Sequence, residues 1–389
     1  MPIKLMKDCD LAGKTVVIRQ DLNVPMKDGA ITNDKRIRAA APTIIQALDK
    51  GAGVIVLSHL GRPTEGQYEE AFSLKPVAER LSTLLKRPVA LVKTLEEAKA
   101  APGECVLLEN IRFCKGEKKN DPDLAQRLAD LGDVYVMDAF GAAHRAHSST
   151  EGAIRKAKVA CAGPLMAAEL DAFAKVLDAP ARPLAAVIGG SKVSTKLGLL
   201  ENLLAKVDIL IIGGGIANTF LAAAGHAVGT SLQEADLIPE ARKIMDEAKR
   251  LNKSLPLPLD VVVAKELAPG QHPTICGIDA VPADAMILDI GPKTVALYTD
   301  LLNTAKTVVW NGPVGAFETD PFGAGTKALA QALAASKAFV VVGGGDSVAA
   351  VEGYGLADAM GYISTGGGAS LELLEGKVLP SVAALEARG

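Results

Sequence analysis

Arginine and glycine, each recurring at the ends of short apolar runs, are the residues here whose type and spacing can do chemistry. Within residues 1–160, Thr15–Arg19 leads to Asp21 and Asn23, and Val54–Leu57 to His59, Leu60, Gly61 and Arg62. Cys105–Leu108 leads to Asn110 and Arg112, and Val134–Met137 to Asp138, His144, Arg145 and His147. Arg36 opens the segment after the first of these loops. The arginine fork binds carboxylate and phosphate bidentately and keeps its charge. Arginines at four successive run ends therefore point to one small ligand with several negative charges. Asp21 and Asn23 would add hydroxyl recognition. Any one of these arginines alone reads as a surface ion pair. His144 and His147 read as local structure.

The second half repeats the pattern with glycine. Ile188 leads to Gly189-Gly190, then Lys192 and Lys196; Ile212 leads to Gly213-Gly214-Gly215. Trp310 leads to Asn311-Gly312-Pro313, Val342 to Gly343-Gly344-Gly345-Asp346-Ser347, and Ser364 to Gly366-Gly367-Gly368. Glycine lets backbone N–H groups approach a phosphate, and a helix start behind it favours negative charge. Five such loops indicate a nucleotide or another polyphosphate. Lys192 and Lys196, four apart at a predicted helix start over 195–205, would face one ligand. Asp346 with Ser347 suits a Mg²⁺ on nucleotide phosphates and equally suits a helix N-cap. Neither G-x-x-x-x-G-K-[ST] nor a post-strand G-x-G-x-x-G occurs, which disfavours a Walker-A nucleotidase and a dinucleotide dehydrogenase.

Short β-branched runs alternating with helical segments carry these residues. Eleven candidate strands, those named above among them, look buried on both faces. Val261–Val263 and Met286–Ile290 are counted with them. The alternation implies parallel sheets flanked by helices, and eleven strands imply two domains. Gly163-Pro164 opens an amphipathic helix with Met166, Leu170, Phe173 and Leu177 on one face, a connector that could act as a hinge. Ligands of such sheets bind beyond the carboxyl ends of the strands.

Composition sets the outer limits. The 389 residues are 49% hydrophobic and 22% charged, an ordinary globular balance that excludes global disorder. Aromatics at 4% argue against a base-stacking platform, and a net charge of −3 argues against a duplex-binding surface, so no nucleic acid partner is expected. The five cysteines include no C-x-x-C, so neither a disulfide framework nor a zinc site is indicated. No apolar run reaches the ~18–20 residues of a membrane span, and the N-terminus lacks a signal-peptide stretch. A cytoplasmic protein without a membrane partner is expected.

Taken together, Arg19–Pro25, Ser58–Pro63, Glu109–Phe113, Ala143–Ser149, Gly189–Lys196, Gly213–Phe220, Trp310–Gly315, Gly343–Ser347 and Ser364–Glu375 resemble the phosphoglycerate kinase family over essentially the whole chain. The resemblance implies two Rossmann-like three-layer α/β/α domains with mainly parallel sheets, joined by a hinge helix. Residues 1–160 with a returning tail of about 374–389 would bind 3-phosphoglycerate, and 164–373 would bind nucleotide. It further implies reversible Mg²⁺-dependent phosphoryl transfer between 1,3-bisphosphoglycerate and ADP, giving 3-phosphoglycerate and ATP, by a monomer.

By the same likeness the triose site would use Asp21, Asn23, Arg36, His59, Leu60, Gly61, Arg62, Arg112 and Arg145, with Arg19 in support. The nucleotide site would use Lys192, Lys196, Gly214, Asn311, Pro313, Glu318 and Gly344–Ser347, with Glu318 on the ribose and Asp346 on Mg²⁺. Arg36, Lys196 and the backbone at Gly345 and Gly367 would stabilise the phosphoryl group in flight. The sequence departs from the family at Gln20, usually Val, and at Ser347, commonly Thr. Two rival readings stand beside this one. A dehydrogenase would show absorbance changes of a nicotinamide cofactor. A non-catalytic two-lobe binder of anionic metabolites would bind without turnover.

Overall fold

The computed structural model describes residues 3–389. They divide into two compact units, one running through Asp171 and taking back Val378–Gly389, the other comprising Ala172–Lys377. The helix Pro164–Leu177 crosses the division.

The first unit is built on a six-stranded sheet in the order Val89–Val92, Cys105–Leu108, Gly53–Leu57, Thr15–Arg19, Val134–Met137, Val159–Ala162. Every pairing is parallel. Val16, Val17, Ile18, Val54, Ile55 and Val56 are wholly buried. Covering such a side chain is worth about 1.5–3 kcal/mol, which is why β-branched runs take these central places. Val89–Val92 and Val159–Ala162 were not among the expected strands. They are the two edge strands: Val89–Val92 is only partly buried, and Val159–Ala162 is buried but built mostly of alanine and cysteine, so neither gives a strong β-branched run. Helix Lys35–Asp49 turns Ile37, Ala40, Ile44 and Ala47 into the core beside Thr15–Arg19. The returning tail docks on the same unit: Ser381 Oγ donates to Thr150 O at 2.6 Å and Ser381 N to Ala143 O at 3.1 Å.

The second unit has a five-stranded parallel sheet ordered Ile209–Ile212, Leu184–Ile188, Thr307–Asn311, Phe339–Gly343, Tyr362–Ile363. The mainly parallel architecture expected from the sequence has one antiparallel exception here, which takes in two of the candidate strands. Asp260–Ala264 pairs antiparallel with both Thr274–Gly277 and Met286–Ile290, making a separate three-stranded sheet. Thr274–Gly277 is exposed along most of its length, so the apolar pattern gives no sign of it.

In each main sheet the chain leaves a central strand to both sides. Thr15–Arg19 lies between Gly53–Leu57 and Val134–Met137, and Leu184–Ile188 lies between Ile209–Ile212 and Thr307–Asn311. Loops leaving two such strands part company and open a crevice at the carboxyl ends. The arginine segments fall at the first crevice and the glycine segments at the second.

Candidate active site

Four strand ends bring the basic residues of the first unit together. Arg19, Arg36, Arg112 and Arg145 all act electrostatically on His59, whose pKa is held well below its ordinary value first by burial and then by these charges. Arg112 is lowered to about 10 by burial, with Arg145 and Arg19 adding to the effect. Arg145 is lowered chiefly by burial, Asp21 working against it and Arg19, Arg62 and Arg36 with it. Arg112 and Arg145 are thus close to the other arginines and partly desolvated. An anion there would relieve repulsion that the fold otherwise bears.

Hydrogen bonds fix this rim. Asp21 Oδ1 accepts from Arg36 Nη1 and from Asn23 N, both at 3.2 Å. Asn23 Oδ1 accepts from Gly61 N at 2.8 Å, and Gly61 O accepts from Arg112 Nη1 at 2.5 Å. Gly61 has φ +59, and a side chain there would meet the Phe72 ring at 2.3 Å, so only glycine fits this turn. Leu60 is buried, its carbonyl accepting from Asn110 Nδ2 at 2.7 Å. Arg62 is exposed. Arg145 Nε donates to His144 Nε2 at 3.3 Å. His147 leads into the turn Ser148–Gly152, as its reading as local structure anticipates.

Three members of the first-unit segments, Asp138, Gln20 and Arg19, turn inward. Asp138 is buried and accepts from Thr43 Oγ1 at 2.6 Å, Gln20 Nε2 at 2.8 Å and Met166 N at 3.1 Å. Gln20, the departure from the family pattern, is therefore a core partner of Asp138. Arg19 is buried, its Nε donating to Ser149 Oγ at 2.9 Å.

In the second unit a cleft of about 550 Å³ opens at the strand ends. Gly190, Gly214, Pro313, Glu318 and Asp346 line it, with an apolar wall that includes Leu221, Leu232, Val261 and Leu288. Glycines let the strand ends close up: a side chain at Gly189 would lie 1.9 Å from Pro313 O. The helices Gly345–Gly353 and Gly367–Leu374 start side by side, since a Cβ at Gly367 would lie 3.8 Å from Gly345 N. Gly344, at φ +87, makes the turn into the first of them. Ser347 Oγ is buried and accepts from Gly312 N at 2.5 Å. Asp346 is exposed in the helix's first turn, and the N-cap position belongs to Gly344.

The predicted helical pairing of Lys192 with Lys196 is corrected. Lys192 is exposed in extended backbone, a short turn Val193–Thr195 follows, and the α-helix begins only at Leu197. The early start fails because Val193-Ser-Thr195 are poor helix formers. Lys196 is instead half-buried and donates to Asn311 Oδ1. Burial lowers its pKa to about 8, opposed by Asp346 and Glu375. Asn311 Nδ2, which is buried, has no protein acceptor among the described residues.

Two features escaped the sequence. Glu117 sits among lysines in Lys115-Gly-Glu-Lys-Lys119, which reads as a solvated charge run, yet it is fully buried. The cleft's apolar wall comes from segments far apart in the chain, and no local pattern gathers them.

Comparison with known proteins extends these observations along the whole chain. The sequence pattern of the family described as phosphoglycerate kinase matches residues 6–377. A phosphoglycerate kinase of Desulfovibrio desulfuricans is 74% identical over 388 residues, covering 100% of both chains. One of Nitratidesulfovibrio vulgaris is 59% identical over 389 residues, covering 100% of this chain and 99% of its own. The solved structure of phosphoglycerate kinase from Coxiella burnetii superposes with a TM-score of 0.96 at 52% identity, with full coverage of both chains. That of the Pyrococcus horikoshii enzyme gives 0.85 at 32% identity, covering 99% of each. With its arginine rim, its glycine-lined cleft and this end-to-end match, the chain belongs to the phosphoglycerate kinase family.

Proposed function

We infer that the chain transfers a phosphoryl group reversibly between the acyl phosphate of 1,3-bisphosphoglycerate and ADP, with the two substrates divided between its two units. The observation that carries this reading is the difference between the two crevices. One gathers crowded, partly desolvated arginines suited to a small polyanion. The other offers glycine-lined strand ends, paired helix starts and an apolar wall suited to a nucleotide.

In the triose site Arg36, Arg62, Arg112 and Arg145 neutralise the carboxylate and phosphate, while Asp21, Asn23 and His59 orient the hydroxyl and the anionic oxygens. Leu60 and Gly61 offer backbone. In the nucleotide site Lys192, Lys196 and the backbone at Gly214, Gly344 and Gly345 hold the phosphates, and Ser347 keeps that loop in place. Asn311 Nδ2 finds its missing acceptor in a phosphate oxygen. Pro313 packs on the base side and Glu318 accepts from the ribose.

Among the described residues no group of three or more histidine, cysteine, aspartate or glutamate side chains could enclose a metal ion. A Mg²⁺ that rides on nucleotide phosphates needs only one or two carboxylates, and Asp346 fits that need. When bound, Mg²⁺ supplies charge neutralisation at the phosphates.

In the ATP-forming direction the carboxylate of 3-phosphoglycerate is the leaving group, and in reverse it is the nucleophile. It is ionised at neutral pH, so no general base is required. The protein's part is to position the reactants and to stabilise charge. Arg36 and Lys196 would flank the equatorial oxygens, with the N–H groups at Gly345 and Gly367 completing the cradle. The two substrate-loaded units must come together for transfer, and their closure would keep water from the acyl phosphate. We read the enzyme as a cytoplasmic monomer on the family likeness. No helix among the described residues is long and apolar enough to cross a membrane.

The test mixes protein, Mg-ATP and 3-phosphoglycerate and follows NADH oxidation through coupled glyceraldehyde-3-phosphate dehydrogenase. NADH loss that requires all three is expected. No loss, from folded protein that binds ATP, would overturn the reading in favour of a non-catalytic binder.

A further inference from the structure

We propose that Glu117 is a positioning residue for His59, acting through Ser149 and Arg19, and that His59 meets its ligand as a neutral donor carrying its proton on Nε2. The proposal rests on the reading of the arginine rim as the triose site.

The chain of contacts is continuous. Glu117 is buried and takes both donors of Ser149: Oγ donates to Oε1 at 2.5 Å and the backbone N to Oε2 at 3.0 Å. With its proton committed to Glu117, Ser149 Oγ can only accept from Arg19, whose Nε lies 2.9 Å away. A second edge of the same guanidinium is spent on Gln20 O. Its remaining nitrogen, Nη2, lies 3.2 Å from His59 Nδ1. A guanidinium only donates, so Nδ1 must be the acceptor and carries no proton. The neutral imidazole then holds its hydrogen on Nε2, which has no protein partner among the described residues.

The charges around the ring agree. Arg19, Arg112, Arg145 and Arg36 all disfavour a protonated His59, in addition to its burial. His147 Nδ1 is 3.9 Å from Glu117 Oε1, and His147 is itself pushed down to about 4, chiefly by burial, so it too adds no positive charge at neutral pH. Glu117 is then the buried counter-charge for Arg19. Burial raises its pKa, while Arg19 and the Ser149 bonds work against the rise. In a rim already crowded with arginine, a neutral directional donor can register an anionic oxygen without adding repulsion.

Two measurements on the full chain test this. Long-range ¹H–¹⁵N NMR of histidine-labelled protein without ligand should show His59 as the Nε2–H tautomer, unchanged from about pH 5.5 to 8. An Nδ1–H tautomer, or titration to imidazolium in that range, would overturn the proposal. Glu117→Gln should mix the His59 tautomers and raise KM for 3-phosphoglycerate about tenfold, as expected for loss of a charge-assisted contact. KM for ATP should change little, whereas the melting temperature should fall, because Arg19 loses its buried counter-charge. Ser149→Ala, a smaller change at the next link, should do the same and serves if Glu117→Gln does not fold. Both substrate constants moving together, or neither moving, would reduce Glu117 to a structural role and overturn the proposal. Adding 3-phosphoglycerate to the unaltered protein should shift the His59 signals. An unshifted ring with an intact Nε2–H tautomer would instead remove the triose reading, and with it the ligand role of His59.

Discussion

Arg36 Nη1 lies 3.2 Å from Asp21 Oδ1, and the same nitrogen donates to Asn23 O at 2.9 Å. One edge of the guanidinium is therefore held by the protein and the other is presented at the rim. Pairing of this kind fixes direction without consuming the residue's capacity to bind an anion, because the fork has five donors.

Arg36→Ala should consequently lower kcat by on the order of 10²-fold or more, the usual cost of one preorganised charge at a transition state. KM for ATP should be nearly unaffected. Arg36→Lys keeps the charge but loses the fork and should recover only part of the rate. Steady-state kinetics in the coupled assay decide it, and an unchanged kcat in Arg36→Ala would refute the assignment.

Lys196→Ala should also lower kcat strongly, for a different reason. Its ammonium is held in a desolvated place against Asn311, so its field is little screened. Lys192, exposed in extended backbone, should be the milder loss. Lys192→Ala is expected to raise KM for nucleotide with less effect on kcat. Equal penalties for the two substitutions would contradict the difference in their surroundings.

Asp346→Ala should change the dependence on Mg²⁺ more than the maximal rate at saturating metal. Titrating Mg²⁺ at fixed ATP should show the half-saturation point moving upward in the variant. An identical titration curve would leave Asp346 as a first-turn helix charge and nothing more.

Asp138 tests the scaffold. Its carboxylate answers the Thr43 hydroxyl, the Gln20 amide and the Met166 N–H. Asp138→Ala leaves three buried donors unmet and should cost about 3 kcal/mol of stability, at about 1 kcal/mol or more each. Burial raises the Asp138 pKa from 3.8 to about 6. The native state thus holds a proton that the unfolded chain has released between those values. The Asp138 contribution to stability is then full below about 4 and declines as pH rises through about 6. Denaturant titrations across that range should show the decline in the parent and its absence in Asp138→Ala.

Much of the candidate site was legible because strand ends can be read locally. An apolar run such as Thr15–Arg19 is unmistakable, and the residues just beyond its last position must lie at the carboxyl edge of the sheet. That logic placed Asp21, His59, Arg112 and Arg145 together, and Gly189, Gly213 and Gly312 with one another in the other unit. It failed where local pattern and tertiary setting disagree. Lys192 and Lys196 have helical spacing, but the backbone between them is an extended residue and a tight turn. Val261–Val263 reads like any buried strand, and nothing in its residues tells parallel from antiparallel. Glu117 lies in a stretch of lysines whose composition belongs on a surface, and only the fold around Ser149 draws it inside.

The docking of Val378–Gly389 onto the first unit ties the order of assembly to the order of translation. A ribosome delivers residues 172–377 before the tail emerges, an interval on the order of 10–40 s at ~5–20 residues per second. Throughout that time the nascent first unit lacks the segment that meets Thr150 and Ala143. Its surface there stays uncovered until that segment emerges to seal it.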